Sequence, residues 1–157
     1  MKEKTKERDI VIVKKIIKYC DEVRLTHKLF KNDKDLFFDK EQGCIYRNAI
    51  TMPILQIGEL VKNLSEEFRT QNNNIPWRSI ARTRDFYAHN YGSLNFNTTW
   101  DTSQDDIPNL KEELEDILLK NNYLSMLNEV EQVADKISDA LDNGEIDRDG
   151  RSVEQER

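Results

Sequence analysis

Residues that break or cross-link chains are scarce in this sequence. Its 157 residues include five Gly, three Pro and two Cys, so punctuation is rare and long helices are favoured. Two cysteines, Cys20 and Cys44, cannot build a disulfide framework and match no metal or redox spacing. They read as reduced, buried thiols of a cytoplasmic protein. No apolar run approaches the roughly 18 residues of a membrane span. The first residues (Met1-Lys2-Glu3-Lys4-Thr5-Lys6-Glu7-Arg8) lack the apolar core of a signal peptide. Gly-rich phosphate loops, zinc spacings and paired catalytic carboxylate signatures are missing as well, so neither a metal nor a cofactor is expected.

Charge is plentiful, at 34% of residues with a net charge of -6. It is unevenly spread. Residues 101–157 hold 17 acidic against 6 basic side chains, a balance of -11, which leaves +5 on residues 1–100. A mildly basic segment followed by an acidic one fits local phosphate binding plus an acidic surface for another partner. Two ordinary solvated faces would give the same balance.

Hydrophobic periodicity predicts an all-α antiparallel bundle of four to five helices. The first helix is expected over about Glu7–Leu29, carried by Ile10, Val13, Ile16, Ile17, Cys20, Val23 and Leu25, with His27 at the surface. A polar loop at Lys31–Asp35 follows, with Asp39 as a candidate cap. The second helix is expected over about Glu41–Arg69, with Ile45 among its core residues and a kink at Pro53. Pro76 suits the first turn of a short third helix ending at Asn90. Gly92–Trp100 reads as a polar connector. A fourth helix should start near Asp101–Ile107 and break or bend at Asn121-Asn122. Residues 1–143 are expected to form one domain, and 144–157 a charged, disordered tail.

The segment Arg84-Asp85-Phe86-Tyr87-Ala88-His89-Asn90-Tyr91 concentrates the chemistry. Arginine grips phosphate with a planar fork of donors, and histidine moves protons near neutral pH. At about 100° per residue, Arg84, Asp85, Ala88 and His89 fall on one arc of a helix. Asp85 and His89, four apart, can touch, so the carboxylate could orient the imidazole. Phe86 should point the other way, into the core. Trp77 and Trp100 read as core anchors. A solvated face with a histidine capping the helix end uses the same residue types.

Taken in order, Ile54-Leu55-Gln56-Ile57-Gly58-Glu59-Leu60, Ile75-Pro76-Trp77-Arg78-Ser79-Ile80-Ala81, Arg84-x4-His89-x-Tyr91 and Thr99-Trp100 resemble the HepT-like family of HEPN domains. The resemblance covers roughly residues 10–120. It implies a helical bundle that forms a homodimer, with two Arg-x4-His segments at a shared cleft. It further implies a metal-independent endoribonuclease, the toxin partner of a minimal nucleotidyltransferase (MNT) antitoxin. On these terms Arg84 would hold the scissile phosphate of an RNA substrate, tRNA or mRNA. His89 would be the general acid or base, Asp85 an orienting group, and Tyr91 the tyrosine that the antitoxin modifies with AMP. Glu59 would support the motif helix from across the bundle. The other reading is a non-catalytic helical module that partners a nucleotidyltransferase.

Overall fold

The computed structural model describes residues 2–89 and 95–143, with side chains described over 4–87 and 95–143. No strand occurs among the described residues, and the chain is all-α. Its helices are α1 (Lys2–Leu29), α2 (Lys34–Phe38), α3 (Cys44–Lys62), α4 (Glu66–Gln71), α5 (Trp77–His89), α6 (Phe96–Asp101) and α7 (Ile107–Asp142). A π-helical turn (Thr102–Asp106) joins the last two. The chain falls into two units, Met1–Asp116 and Ile117–Arg157.

In the first unit α1 packs along α3, and α3 along α5. The stripe Val13, Ile16, Cys20 and Val23 is buried, at spacings of three and four. Burial raises the Cys20 thiol to about 12, which leaves it inert. Cys44, expected inside, is exposed. So are Leu25 and Ile45, each of which lies off its helix's buried stripe.

The same stripe continues one step further, to His27, and this corrects the expectation of a surface histidine. His27 is only 8% exposed, enclosed by the rings of Tyr46 and Trp100. Its partners fix its tautomer. The Ser103 hydroxyl donates to the Trp100 carbonyl (2.7 Å), so Ser103 Oγ accepts from His27 Nε2–H (2.9 Å). His27 Nδ1 then accepts from the Tyr46 hydroxyl (2.5 Å). One imidazole thereby ties α1 to α3 and to the π-helical turn.

Expected and observed helices differ in further places. The single helix expected over 41–69 is two, because Ser65 caps α4: its Oγ accepts from Phe68 N at 3.1 Å. Buried Asp9 of α1 secures that break by accepting from Ser65 N (2.9 Å) and Ser65 Oγ (2.5 Å). Pro53 lies within an uninterrupted α3. The expected polar connector contains α6, started by Asn95, whose Oδ1 accepts from Asn97 N. Finally, α7 runs straight through Asn121-Asn122, with Asn121 Nδ2 donating to the Ile117 carbonyl (2.9 Å). Pro108 offers no N–H to the Gln104 carbonyl, and the helix widens into a π turn just before it.

The second unit comprises the distal part of α7 and the residues after it. None of its described side chains is buried.

Candidate active site on α5

Helix α5 packs along α3, meeting Gly58 with Ile80 and Arg84, and these two belong to a stripe of positions 77, 80, 84 and 87 spaced three and four apart. Trp77 (6% exposed) and Tyr87 (2%) are the buried ends of this stripe. Tyr87 is fixed by a 2.7 Å hydrogen bond between its hydroxyl and Thr99 Oγ1. The aromatic anchor is therefore Tyr87 and not Phe86, which is 53% exposed. Trp77 and Trp100 are core anchors as expected.

Arg84 occupies a contact position of that stripe, which an arginine can hold only if its stem finds room and its charge reaches water. Gly58 supplies the room. A Cβ at Gly58 would collide with the Arg84 Cβ and lie 3.2 Å from the Ile80 carbonyl, so the two helices meet here backbone to stem. The Arg84 side chain then runs outward, 35% exposed, and its Nε donates to Glu59 Oε2 at 2.9 Å. Adjacent residues on α3 thus act together, Gly58 admitting the arginine and Glu59 aiming it.

Asp85 completes the charge cluster. Its Oδ1 accepts from Lys62 Nζ and lies 3.4 Å from Arg84 Nη1. The Lys62 hydrogen bond, followed by the charges of Lys62 and Arg84, lowers the Asp85 pKa below the usual carboxylate value. Two cations and two carboxylates alternate across the α3–α5 seam as Lys62, Asp85, Arg84 and Glu59. Sequence reasoning missed Lys62, although its place three residues after Glu59 on the same helix was the available signal. Arg84 Nη2 has no partner among the described residues.

His89 is the last residue of α5, five positions after Arg84. Its side chain lies outside the described set, as does its expected contact with Asp85, and Tyr91 lies wholly outside. By register, positions 78, 82, 85 and 89 follow one helical stripe, spaced four, three and four apart. Arg78 and Arg82 of this stripe line a shallow groove with Arg69 of α4, at the start of α5. None of the three is ion-paired among the described residues. Three arginines without an ion pair among the described residues, two of them on the stripe that includes position 89, are suited to a polyanion.

The family model described as ribonuclease HepT-like matches residues 13–117, which contain α3, α5 and every residue of this charge cluster. The chain belongs to that family. This HepT-like chain is 32% identical over 95 residues to a candidate RNase of Caldanaerobacter subterraneus subsp. tengcongensis, covering 55% of this chain and 85% of that one. It is 38% identical over 84 residues to a gamma-glutamylcyclotransferase and candidate RNase of Methanocaldococcus jannaschii, covering 54% of this chain and 36% of that longer protein. A candidate ribonuclease HepT of Thermococcus cleftensis is 39% identical over 67 residues, which are 43% of this chain and 61% of that one. No solved structure matches. Among the described residues no cluster of His, Cys, Asp and Glu could hold a metal ion, and no helix is long and apolar enough to cross a membrane.

Proposed function

We propose that this HepT-like chain is an endoribonuclease that cuts RNA without a metal ion, using Arg84 and His89 at a cleft shared by two copies in the cytoplasm. On this reading it is the toxin of a toxin–antitoxin pair. Its MNT-type partner restrains it by binding, by transferring AMP to Tyr91, or by both.

The observation that carries the proposal is the Arg84 guanidinium, fixed at the surface by Glu59 with Nη2 left for a phosphate oxygen. Transesterification needs three things: a base for the 2′-hydroxyl, a cation for the phosphorane, and an acid for the leaving oxygen. The 2′-oxygen attacks phosphorus as His89 takes its proton, and the bond from phosphorus to the 5′-oxygen breaks. The second copy's histidine protonates that leaving oxygen, giving a cyclic phosphate and a free 5′-hydroxyl. Arg84 is the phosphate ligand throughout, and Glu59 is a positioning residue that acts through it. Asp85 keeps its charge well below neutral pH and orients the cluster. The Arg69, Arg78 and Arg82 groove seats phosphates of the same strand away from the cut. AMP on Tyr91, two residues beyond His89, would add a competing phosphate near Arg84.

One observation favours the non-catalytic module instead: Glu59 and Asp85 already occupy two of the donors of Arg84. Incubation with total cellular RNA in EDTA separates the readings. Cleavage by the wild type and its loss in both Arg84→Ala and His89→Ala would establish the ribonuclease. Three silent proteins, all folded and with Tyr91 unmodified by mass, would establish the module.

A further inference from the structure

The distal part of α7 carries an apolar stripe that is exposed. Leu119, Tyr123, Met126, Val130, Val133 and Ile137 are 49–65% exposed, where a lone soluble helix would carry polar groups. The stripe has a strict register. Tyr123, Val130 and Ile137 repeat every seven residues. Leu119, Met126, Val133 and Ala140 repeat every seven beside them, at alternating steps of three and four. This is the seam of a coiled coil, with β-branched residues at two of the three a positions. The family match stops at residue 117, and the second unit starts there. The seam is therefore an addition to the family's core.

The charges beside the seam select the occupant. The g positions that flank it are Asn122, Glu129 and Lys136, and the e positions include Leu127, Ala134 and Leu141. In a parallel pair, g side chains face e side chains of the other helix, so Glu129 meets Ala134 and Lys136 meets Leu141, with no charge matched. In an antiparallel pair, g faces g. Glu129 then meets Lys136 of a second copy, and a two-fold axis repeats the contact with the chains exchanged. The same alignment stacks Val130 on Val133, Met126 on Ile137 and Tyr123 on Ala140, and brings apolar Leu127 against Ala134.

We infer that residues 119–141 of α7 pair antiparallel with the same segment of a second copy, around an axis between Glu131 and Gln132. This contact is separate from any cleft dimer formed through α5.

Nitroxide labels on the full chain test it. They are placed at Gln132→Cys or Asp142→Cys in a Cys44→Ser background, with buried Cys20 left unlabelled. An antiparallel pair brings the Gln132 labels within roughly two helix diameters of each other. It holds the Asp142 labels about 30 Å apart, from ~1.5 Å of rise per residue. Val130→Glu with Ile137→Glu, both at exposed sites, should abolish the short distance without loss of helicity. Glu129→Lys should weaken pairing about tenfold, and adding Lys136→Glu should restore it. Short distances at both sites would overturn the antiparallel arrangement in favour of a parallel one. No interchain coupling at Gln132, under conditions where the chain sediments as a dimer or as a monomer, would overturn self-pairing and leave the stripe to a helix of a different protein.

Discussion

A hydrogen in place of a side chain at position 58 lets α5 approach α3 closely enough for Arg84 to sit on a packing stripe and still reach water. Gly58→Ala should push the helices apart at this point and cost about 1–3 kcal/mol of stability. It should also lower phosphate or RNA affinity, because Glu59 would no longer meet the guanidinium. Chemical denaturation and RNA binding on the same samples check both halves; an alanine as stable and as tight-binding as the wild type would remove the role given to Gly58. His27 makes a second prediction at this scale. Burial lowers its pKa, since a charged imidazole would have to be accommodated among Tyr46, Trp100 and Ser103. The unfolded chain takes up that proton first, near pH ~6.5. The stability contributed by neutral His27 is thus fully present above that pH and is lost as pH falls towards the folded value. Melting temperatures measured from pH 7.5 down to 5.5 should decline, and His27→Gln should flatten the decline.

At the scale of elements, α4 and α5 jointly make something neither has alone. Arg69 comes from one, Arg78 and Arg82 from the other, and the Asn72–Pro76 turn between them sets their spacing. If this groove carries flanking phosphates, Arg78→Ala and Arg82→Ala should each reduce the slope of log affinity against log salt by about one. They should raise KM on long RNA, with kcat on a minimal substrate unchanged. Binding titrations over a range of salt read the first effect and steady-state kinetics the second. A fall in kcat with KM unchanged would instead put these arginines at the reacting phosphate.

For the whole molecule, the buried residues of α7 are Ile107, Leu110 and Leu114, all within the first unit. Residues from Ile117 onward add no buried side chain among those described. A chain ending at Asp116 should therefore keep its helical spectrum and melt within about 4 °C of the full chain at low protein concentration. At high concentration the full chain should gain stability that the short one does not, because pairing stabilises by mass action. Melting curves over a hundredfold range of concentration test this.

Local chemistry alone determined much of this protein. The scarcity of Gly and Pro, with apolar residues three and four apart, specified helices. The ordered motifs around Gly58-Glu59, Ile75-Pro76-Trp77 and Arg84-x4-His89 identified the family before any contact was known. Those signals are legible because helical periodicity and motif spacing are properties of neighbouring residues. Helix ends were less so: Ser65 needed Asp9, 56 positions away, to make its break secure. His27 stayed on the apolar stripe of α1, yet its polarity suggested the surface, because the groups that satisfy its nitrogens inside, Tyr46, Ser103 and Gln104, lie far along the sequence. Phe86 and Tyr87 are similarly apolar neighbours, and the Thr99 hydroxyl favours burying the one that can hydrogen-bond. The ion pair of Asp85 with Lys62 and the arginine groove were decided by tertiary structure alone, whereas a contact of Glu59 with the motif helix was legible and only its partner there, Arg84, was not. Each joins charges from different helices, and a charge's partner depends on distances that a sequence does not state.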